Sequence, residues 1–247
     1  MITTGVSVSF IIGTLISWRA LALAGIAPCV VLFLGLFFIP ESPRWLAKTG
    51  NQKQFEAALQ RLRGKDFDTL ISTTFKDYIE TLEKLPKAKL LDLFQKRYIR
   101  SVIIGVGLMV FQQFGGINGI CFYVSSIFES ARFPSDIGTI IYACIQVVIT
   151  GLGAFIIDRA GRKPLLLASA SGLVLGCLIT GLSFYLKAYE IGLKAAPALA
   201  VTGILVYIGS FSIGMGSIPW VVMSEIFDIN IKGAGGSLAT LVNWFGA

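Results

Sequence analysis

Histidine is absent from this sequence, and charged residues make up only 14% of it. The first absence removes the commonest general base and metal ligand, so Ser-His hydrolases and intramembrane metalloenzymes are not expected. Cysteine is sparse: Cys29, Cys121, Cys144 and Cys177 all lie inside apolar runs and none forms a CxxC pair. They read as buried thiols that neither bridge nor hold metal. A basic face interleaved with aromatics is also missing, which excludes nucleic acid as a partner even though the formal charge is +7.

What is plentiful is apolar surface. Of the 247 residues 55% are hydrophobic, and the mean hydropathy is +0.77. Such a chain is a multi-pass integral membrane protein whose solvent is the lipid bilayer. Residues 1–16 form an apolar run dotted with Ser and Thr, without the basic start or cleavage site of a signal peptide, and read as a crossing whose beginning is missing. Trp18 and Arg19 mark an interface, and residues 20–39 are long enough to span a core of about 30 Å before Pro40 ends them. Residues 41–100 carry 13 Lys or Arg against 8 Asp or Glu and read as a cytosolic helical connector. One helical stripe there is Phe55, Ala58, Leu59 and Leu62, stopping at Gly64; a second is Ile71, Phe75, Tyr78, Leu82 and Leu85, ended by Pro86. Four further hydrophobic runs follow, near 101–128, 137–157, 164–186 and 196–224, and a last one starts near Gly233.

Short gaps make neighbouring crossings antiparallel, so alternate gaps lie on alternate sides. The connector, the 158–163 turn and the 225–232 turn together hold 17 of the 21 Lys and Arg, leaving only Arg19, Arg132, Lys187 and Lys194 opposite. The first set is therefore cytosolic, and the net charge is a topology signal.

Within the crossings, side-chain amides need explanation because lipid cannot solvate them. Gln112, Gln146 and Asn243 lie 12, 12 and 11 residues from Arg100, Asp158 and Lys232. At 1.5 Å per residue each sits roughly 17 Å deep, near the middle of the core. Three crossings thus bring amides to one level, with Gln113 and Asn118 beside them. Helix-to-helix hydrogen bonds would account for single amides; a shared polar cavity accounts for the set. On a straight helix Asn118 would point about 120° from Gln112 and about 140° from Gln113. Gly115 and Gly116 offer a place to unwind, or alternatively a close-packed contact. Pro219 predicts a kink just before Trp220, whose indole belongs either to the interfacial belt or to a cavity wall. No crossing has a formal charge near its midpoint, so the cavity suits a neutral polyhydroxylated solute rather than an ion.

The ordered motifs resemble the sugar porter family of the major facilitator superfamily. Pro40-Glu41-Ser42-Pro43-Arg44 resembles its Pro-Glu-Ser-Pro-Arg signature, and Gln112-Gln113-Phe114-Gly115-Gly116-Ile117-Asn118 its Gln-Gln-x-x-Gly-Ile-Asn. Asp158-Arg159-Ala160-Gly161-Arg162-Lys163 is similar to its acidic-Arg-x-Gly-Arg-basic turn, and Ile218-Pro219-Trp220 with Glu225 to its tenth crossing. The Gly-Gly after Gln-Gln-Phe and the Gly-Met-Gly-Ser run look most like the plant early-response-to-dehydration group, often vacuolar.

The resemblance implies an all-α polytopic bundle, the second half of a twelve-helix carrier plus its cytosolic helical linker. Residues 1–39 would end the first bundle with a partial fifth and a full sixth crossing. Residues 40–100 would be the linker, and 101–247 crossings seven to ten with the start of eleven. The implied partner is the missing six-helix half, and the implied activity is transport of a monosaccharide, a hexose such as glucose, by alternating access and not catalysis. By the same resemblance Gln112, Gln113, Asn118, Gln146, Asn243 and Trp220 would contact the sugar, and Tyr123 would belong to the outer gate. Glu41, Arg44, Asp158, Arg159, Arg162, Glu225 and Lys232 would form a charged inner gate, unless they only anchor the cytosolic side. Gln146 and Ser217 stand where many members have Asn and Pro. No cofactor is implied, while facilitated diffusion and proton coupling stay open, as do the vacuolar and plasma membranes. The alternative from another class is a non-transporting sugar sensor or regulatory half-transporter.

Overall fold

The computed structural model describes residues 2–63, 90–191, 195–228 and 230–247. Among them there is no strand. Two compact units make up the chain, Met1–Leu21 with Lys89–Ala247, and Ala22–Ala88.

In the larger unit, α1 (Ile2–Leu15) precedes a bundle built from α6 (Ile99–Phe114), α7 (Ile117–Ser130), α8 (Ser135–Ala160), α9 (Arg162–Ala188), α10 (Ala196–Ser210), α11 (Ile218–Ile226) and α12 (Lys232–Phe245). A 3-10 turn, Leu90–Phe94, leads into α6, and a π-helical turn, Phe211–Met215, follows α10. Four spans here are long and apolar enough to cross a bilayer, Ile99–Ser130, Ser135–Ala160, Arg162–Ala188 and Ala196–Ile226, and each contains one of the four hydrophobic runs. Two of them are not single helices. Ile99–Ser130 is α6 plus α7, and Ala196–Ile226 is α10, the π turn and α11.

Packing follows membrane rather than aqueous rules. Large apolar side chains such as Phe111, Phe122, Phe155 and Leu178 point outward, because lipid tails give helices no hydrophobic reason to associate. Close backbone approach does the work instead. A Cβ on Gly176 would stand 2.8 Å from the Tyr207 backbone nitrogen and 2.9 Å from the Gly203 carbonyl, so α9 and α10 meet only because that side chain is absent. The centre is closed by Ile117, Phe128, Tyr142, Ile204, Tyr207 and Ile208, all buried. On α1, Phe10 meets Tyr142 of α8 edge-on at 5.5 Å.

In the smaller unit the helices are α2 (Trp18–Ala24, shared with the larger unit), α3 (Ile26–Leu36), α4 (Pro43–Lys48) and α5 (Gln52–Arg63). Trp18–Leu36 is a fifth membrane-length span, with none of its window buried within the chain. Phe55, Ala58 and Leu59 of α5 pack on Leu46 and Ala47 of α4. Leu62, the fourth member of the expected stripe, is exposed. The stop at Gly64 and the second stripe, Ile71 to Leu85 with Pro86, lie outside the described residues.

The cysteines depart from expectation. All four are free thiols, but Cys29, Cys144 and Cys177 are exposed and Cys121 only half-buried. An apolar run in a membrane protein faces lipid as often as core, so apolar neighbours in sequence do not imply burial within the chain.

Candidate functional site

The site begins with the break between α6 and α7. Gly116 adopts φ +84°, a left-handed backbone that only glycine takes without strain. The helix stops at Phe114, with Gly116 N–H bonding back to Gln113 O at 2.9 Å, and restarts at Ile117. A carbonyl freed by the break finds a donor elsewhere: Tyr207 of α10 gives its hydroxyl to Gly115 O at 2.6 Å. The turn also carries Asn118 back toward α6, and its Nδ2 donates to Gln113 Oε1 at 2.8 Å. A straight helix would hold these two side chains far apart.

Gln113 extends the contact across the bundle. Its Nε2 donates to Asn243 Oδ1 of α12 at 2.7 Å, and Asn243 is buried. Three amides from three helices therefore form one relay, Asn118 to Gln113 to Asn243. A weaker bond runs from Asn118 Nδ2 to Ala247 O at 3.4 Å.

Gln112 serves the second break. Gly216 N–H reaches Phe211 O at 2.8 Å, a five-residue closure that widens the helix, and α11 begins only after Ser217. The bend therefore lies upstream of Pro219, which occupies the first turn of α11 where no intrahelical N–H is required. Pro219 still denies a donor to the carbonyl four residues before it, that of Met215. Gln112 Nε2 supplies one, at 2.7 Å to Met215 O and 3.2 Å to Gly216 O. Its Oε1 is buried without a partner. From the opposite side Ser169 of α9, fully buried, donates to Ser210 O at 2.6 Å and accepts from Met215 N–H at 2.9 Å.

Gln146 of α8 is also buried but belongs to a different contact, accepting from Ser7 Oγ of α1 at 3.4 Å. Trp220 is half-buried on α11. Tyr123 is exposed on α7, and Trp244 is exposed beside buried Asn243.

Among the inner-face charges, Arg162 is central. Its Nη2 lies 2.7 Å from Glu225 Oε1 and 3.7 Å from Asp158 Oδ1, tying together the ends of α8, α9 and α11. Arg159 and Lys232 enter no ion pair among the described residues. Glu41 is exposed just before α4, and Arg44 lies in the first turn of α4. A pair that sequence reasoning did not single out, Arg97 with Asp228 at 3.7 Å, joins the entry of α6 to the segment after α11. Beside it Asn230 donates to the Tyr98 hydroxyl at 3.0 Å. Tyr207 and Ser169 were missed as well. A phenol inside an apolar run was a readable signal for Tyr207, whereas Ser169 is one of many serines in the crossings and carried none.

Comparison with known proteins places this geometry. The family model described as Sugar (and other) transporter matches residues 1–247. Sugar transporter ERD6-like 7 of Arabidopsis thaliana is 71% identical over all of this chain and 54% of its own length. Sugar transporter ERD6-like 16, from the same plant, is 60% identical over all of this chain and 52% of its own. The solved structure of the major facilitator proton:xylose symporter XylE bound to 6-bromo-6-deoxy-D-glucose superposes with a TM-score of 0.73 at 30% identity, covering 93% of this chain and 46% of that one. An inward-open, partially occluded XylE from E. coli gives 0.71 at 27%, covering 98% and 53%. The chain spans about half the length of the curated relatives it matches, and those relatives are named as transporters and not enzymes. With its all-helical bundle and its whole length matched, this chain belongs to the sugar transporter family of the major facilitator superfamily.

Proposed function

We propose that the chain contributes the end of the first bundle, the linker, and crossings seven to ten with the start of eleven of the second six-helix half to a carrier that moves a hexose such as glucose by alternating access. The observation that carries this reading is the amide relay built on the broken seventh crossing, with Gln112 keeping a buried oxygen unpartnered beside it. Among the described residues, Gln112 Oε1 and Asn118 Oδ1 remain as acceptors, while Asn243 Nδ2 and Gln146 Nε2 remain as donors. A sugar hydroxyl both donates and accepts, so it suits a mixed set, whereas an anion would meet carbonyls and a cation amide hydrogens. In this reading Gln112, Gln113, Asn118, Gln146 and Asn243 bond the hydroxyls and the indole of Trp220 covers a C–H face. A handful of neutral bonds at about 0.5–1.5 kcal/mol each, less ordering costs, gives millimolar to high-micromolar affinity, weak enough to release.

Tyr123 closes the outer side of the site. Arg162 with Glu225 and Asp158 forms the core of the inner gate, which Arg159 and Lys232 complete in one state of the cycle. Neutralising Arg162 to Gln then shifts the balance toward inward accessibility, read by labelling a cysteine placed in the inner cavity; unchanged labelling would leave these charges as topology anchors only. The proposed location is a vacuolar or plasma membrane, and the proposed transport is facilitated diffusion or proton symport, the xylose neighbour being named a proton symporter.

The test is radiolabelled hexose uptake into proteoliposomes by a full-length carrier in which this chain replaces the matching half of the 71% identical relative, with and without a pH gradient. Saturable uptake is expected, and stimulation by the gradient marks symport. Absence of saturable uptake with protein in the bilayer overturns the reading.

A further inference from the structure

Resting on that sugar-binding reading, we infer that Ser169 is a positioning residue for the solute: its hydroxyl fixes Met215, and Met215 fixes the amide of Gln112. The argument starts from the π turn Phe211–Met215. Ser210 stands immediately before this turn and Met215 ends it, and the one hydroxyl of Ser169 holds both, giving its proton to Ser210 O and taking the Met215 N–H. A π-helical turn is a rare single-turn interruption of the i→i−4 register of its α neighbours, and here outside partners hold both its ends. Ser169 supplies them from α9 and is itself fully buried.

Met215 then passes the constraint on. Its carbonyl, orphaned by Pro219, accepts from Gln112 Nε2 at 2.7 Å, and the same nitrogen approaches Gly216 O at 3.2 Å. An amide nitrogen has two hydrogens, so the hinge occupies the donor side of Gln112 and leaves Oε1 as the only polar atom of its amide free for a ligand. That oxygen is buried and unpartnered. Hydrogen bonds thus run from α9 through the hinge to α6 and set the direction of an acceptor before any sugar arrives, which is preorganisation in the ordinary sense. The seat around Ser169 is tight. A Cβ on Gly214 would lie 2.5 Å from the Ser169 Cβ and 2.8 Å from the Leu165 carbonyl, so residue 214 has no room for a side chain.

The experiment measures KM and Vmax for hexose uptake by the same full-length chimaera, with membrane abundance of each variant determined in parallel. Ser169→Ala is expected to raise KM roughly three- to tenfold, the range of one net hydrogen bond, with Vmax per carrier held within about twofold. Ser183 is a buried serine that donates to Ala196 O at 2.6 Å and grips no hinge, and Ser183→Ala leaves KM unchanged. In a Gln112→Asn background, whose shorter side chain cannot hold Met215 in the same way, Ser169→Ala adds no further rise in KM. Equal KM in parent and Ser169→Ala, or the same fold-rise in both backgrounds, overturns the inference while leaving the sugar reading intact. Should the alanine variant not reach the membrane, Ser169→Cys decides, since it keeps a weaker donor of similar size: a KM above the parent supports the inference and a KM equal to it does not. A parent chimaera without saturable uptake overturns the sugar reading and this inference together.

Discussion

Two kinds of crossing stand side by side in the larger unit. The helices α8 and α9 run for 26 and 27 residues without interruption, whereas the crossings before and after them are each cut in two by glycine and by a π turn. An unbroken helix satisfies its own backbone, and its small polar side chains either bond within it, as Thr180 does to Gly176 O and Ser171 to Ala168 O, or reach a neighbour, as Ser169, Ser183 and Thr139 do. A broken one releases carbonyls that no neighbour on the same helix can reach. Tyr207 serves Gly115 and Gln112 serves Met215, each from another crossing. At the breaks, backbone carbonyls are thus bonded from other helices. In lipid this is the only setting in which irregular backbone is tolerated. Of the amides assigned to the sugar, Gln112, Gln113 and Asn118 lie on the interrupted α6–α7 crossing, Asn243 on α12 and Gln146 on unbroken α8.

The comparison can be broken most severely at Gln112. Gln112→Leu leaves the Met215 and Gly216 carbonyls without that donor at roughly 1–3 kcal/mol each, so uptake should fall below about a tenth of the parent while membrane insertion is kept. Uptake and surface abundance, measured on one preparation, separate the two effects. Next comes the break itself. Gly116→Ala should destabilise the solubilised carrier by about 1–2 kcal/mol because of its left-handed backbone, and β-branched Gly116→Val by more. Gly119 has open space at its Cβ position, and Gly119→Ala, on regular helix, should be neutral or stabilising by up to about 1 kcal/mol. Thermal unfolding of the two variants side by side makes this a direct contrast. A smaller loss, about 1 kcal/mol, is expected for Tyr207→Phe, which removes only the donor to Gly115 O. The smallest is Ser171→Ala on unbroken α9, within about 0.5 kcal/mol and without effect on uptake.

Much of this architecture was legible in the residues because lipid imposes so few solutions. Hydropathy located the spans, and Gly115-Gly116 flagged the break through a conflict in helical phase between Gln112 and Asn118. Depth counting brought Gln112, Gln146 and Asn243 to one level, and between two of those three helices, α6 and α12, amides meet, Gln113 with Asn243. It could not tell that Gln146 would turn to Ser7 on α1 instead, because counting along an axis says nothing about rotation around it. Pro219 pointed to the right crossing, but the bend lies upstream of it, at the π turn. The proline's position in a first helical turn costs nothing there, and its effect is on the carbonyl of Met215. Ser169 was illegible, since a serine that clamps a π turn looks in sequence like a serine that bonds to its own helix. The cysteines misled for the opposite reason, as apolar context in a membrane does not distinguish core from lipid.

The central claim is that the amide relay around the break between α6 and α7 binds the solute. Equilibrium hexose binding to the solubilised full-length carrier, with and without Gln113→Ala, tests it most directly. Saturable millimolar to high-micromolar binding that weakens at least about tenfold in the variant is the expected result. Hexose binding of unchanged affinity in Gln113→Ala would contradict it and leave the relay as a helix-to-helix contact alone.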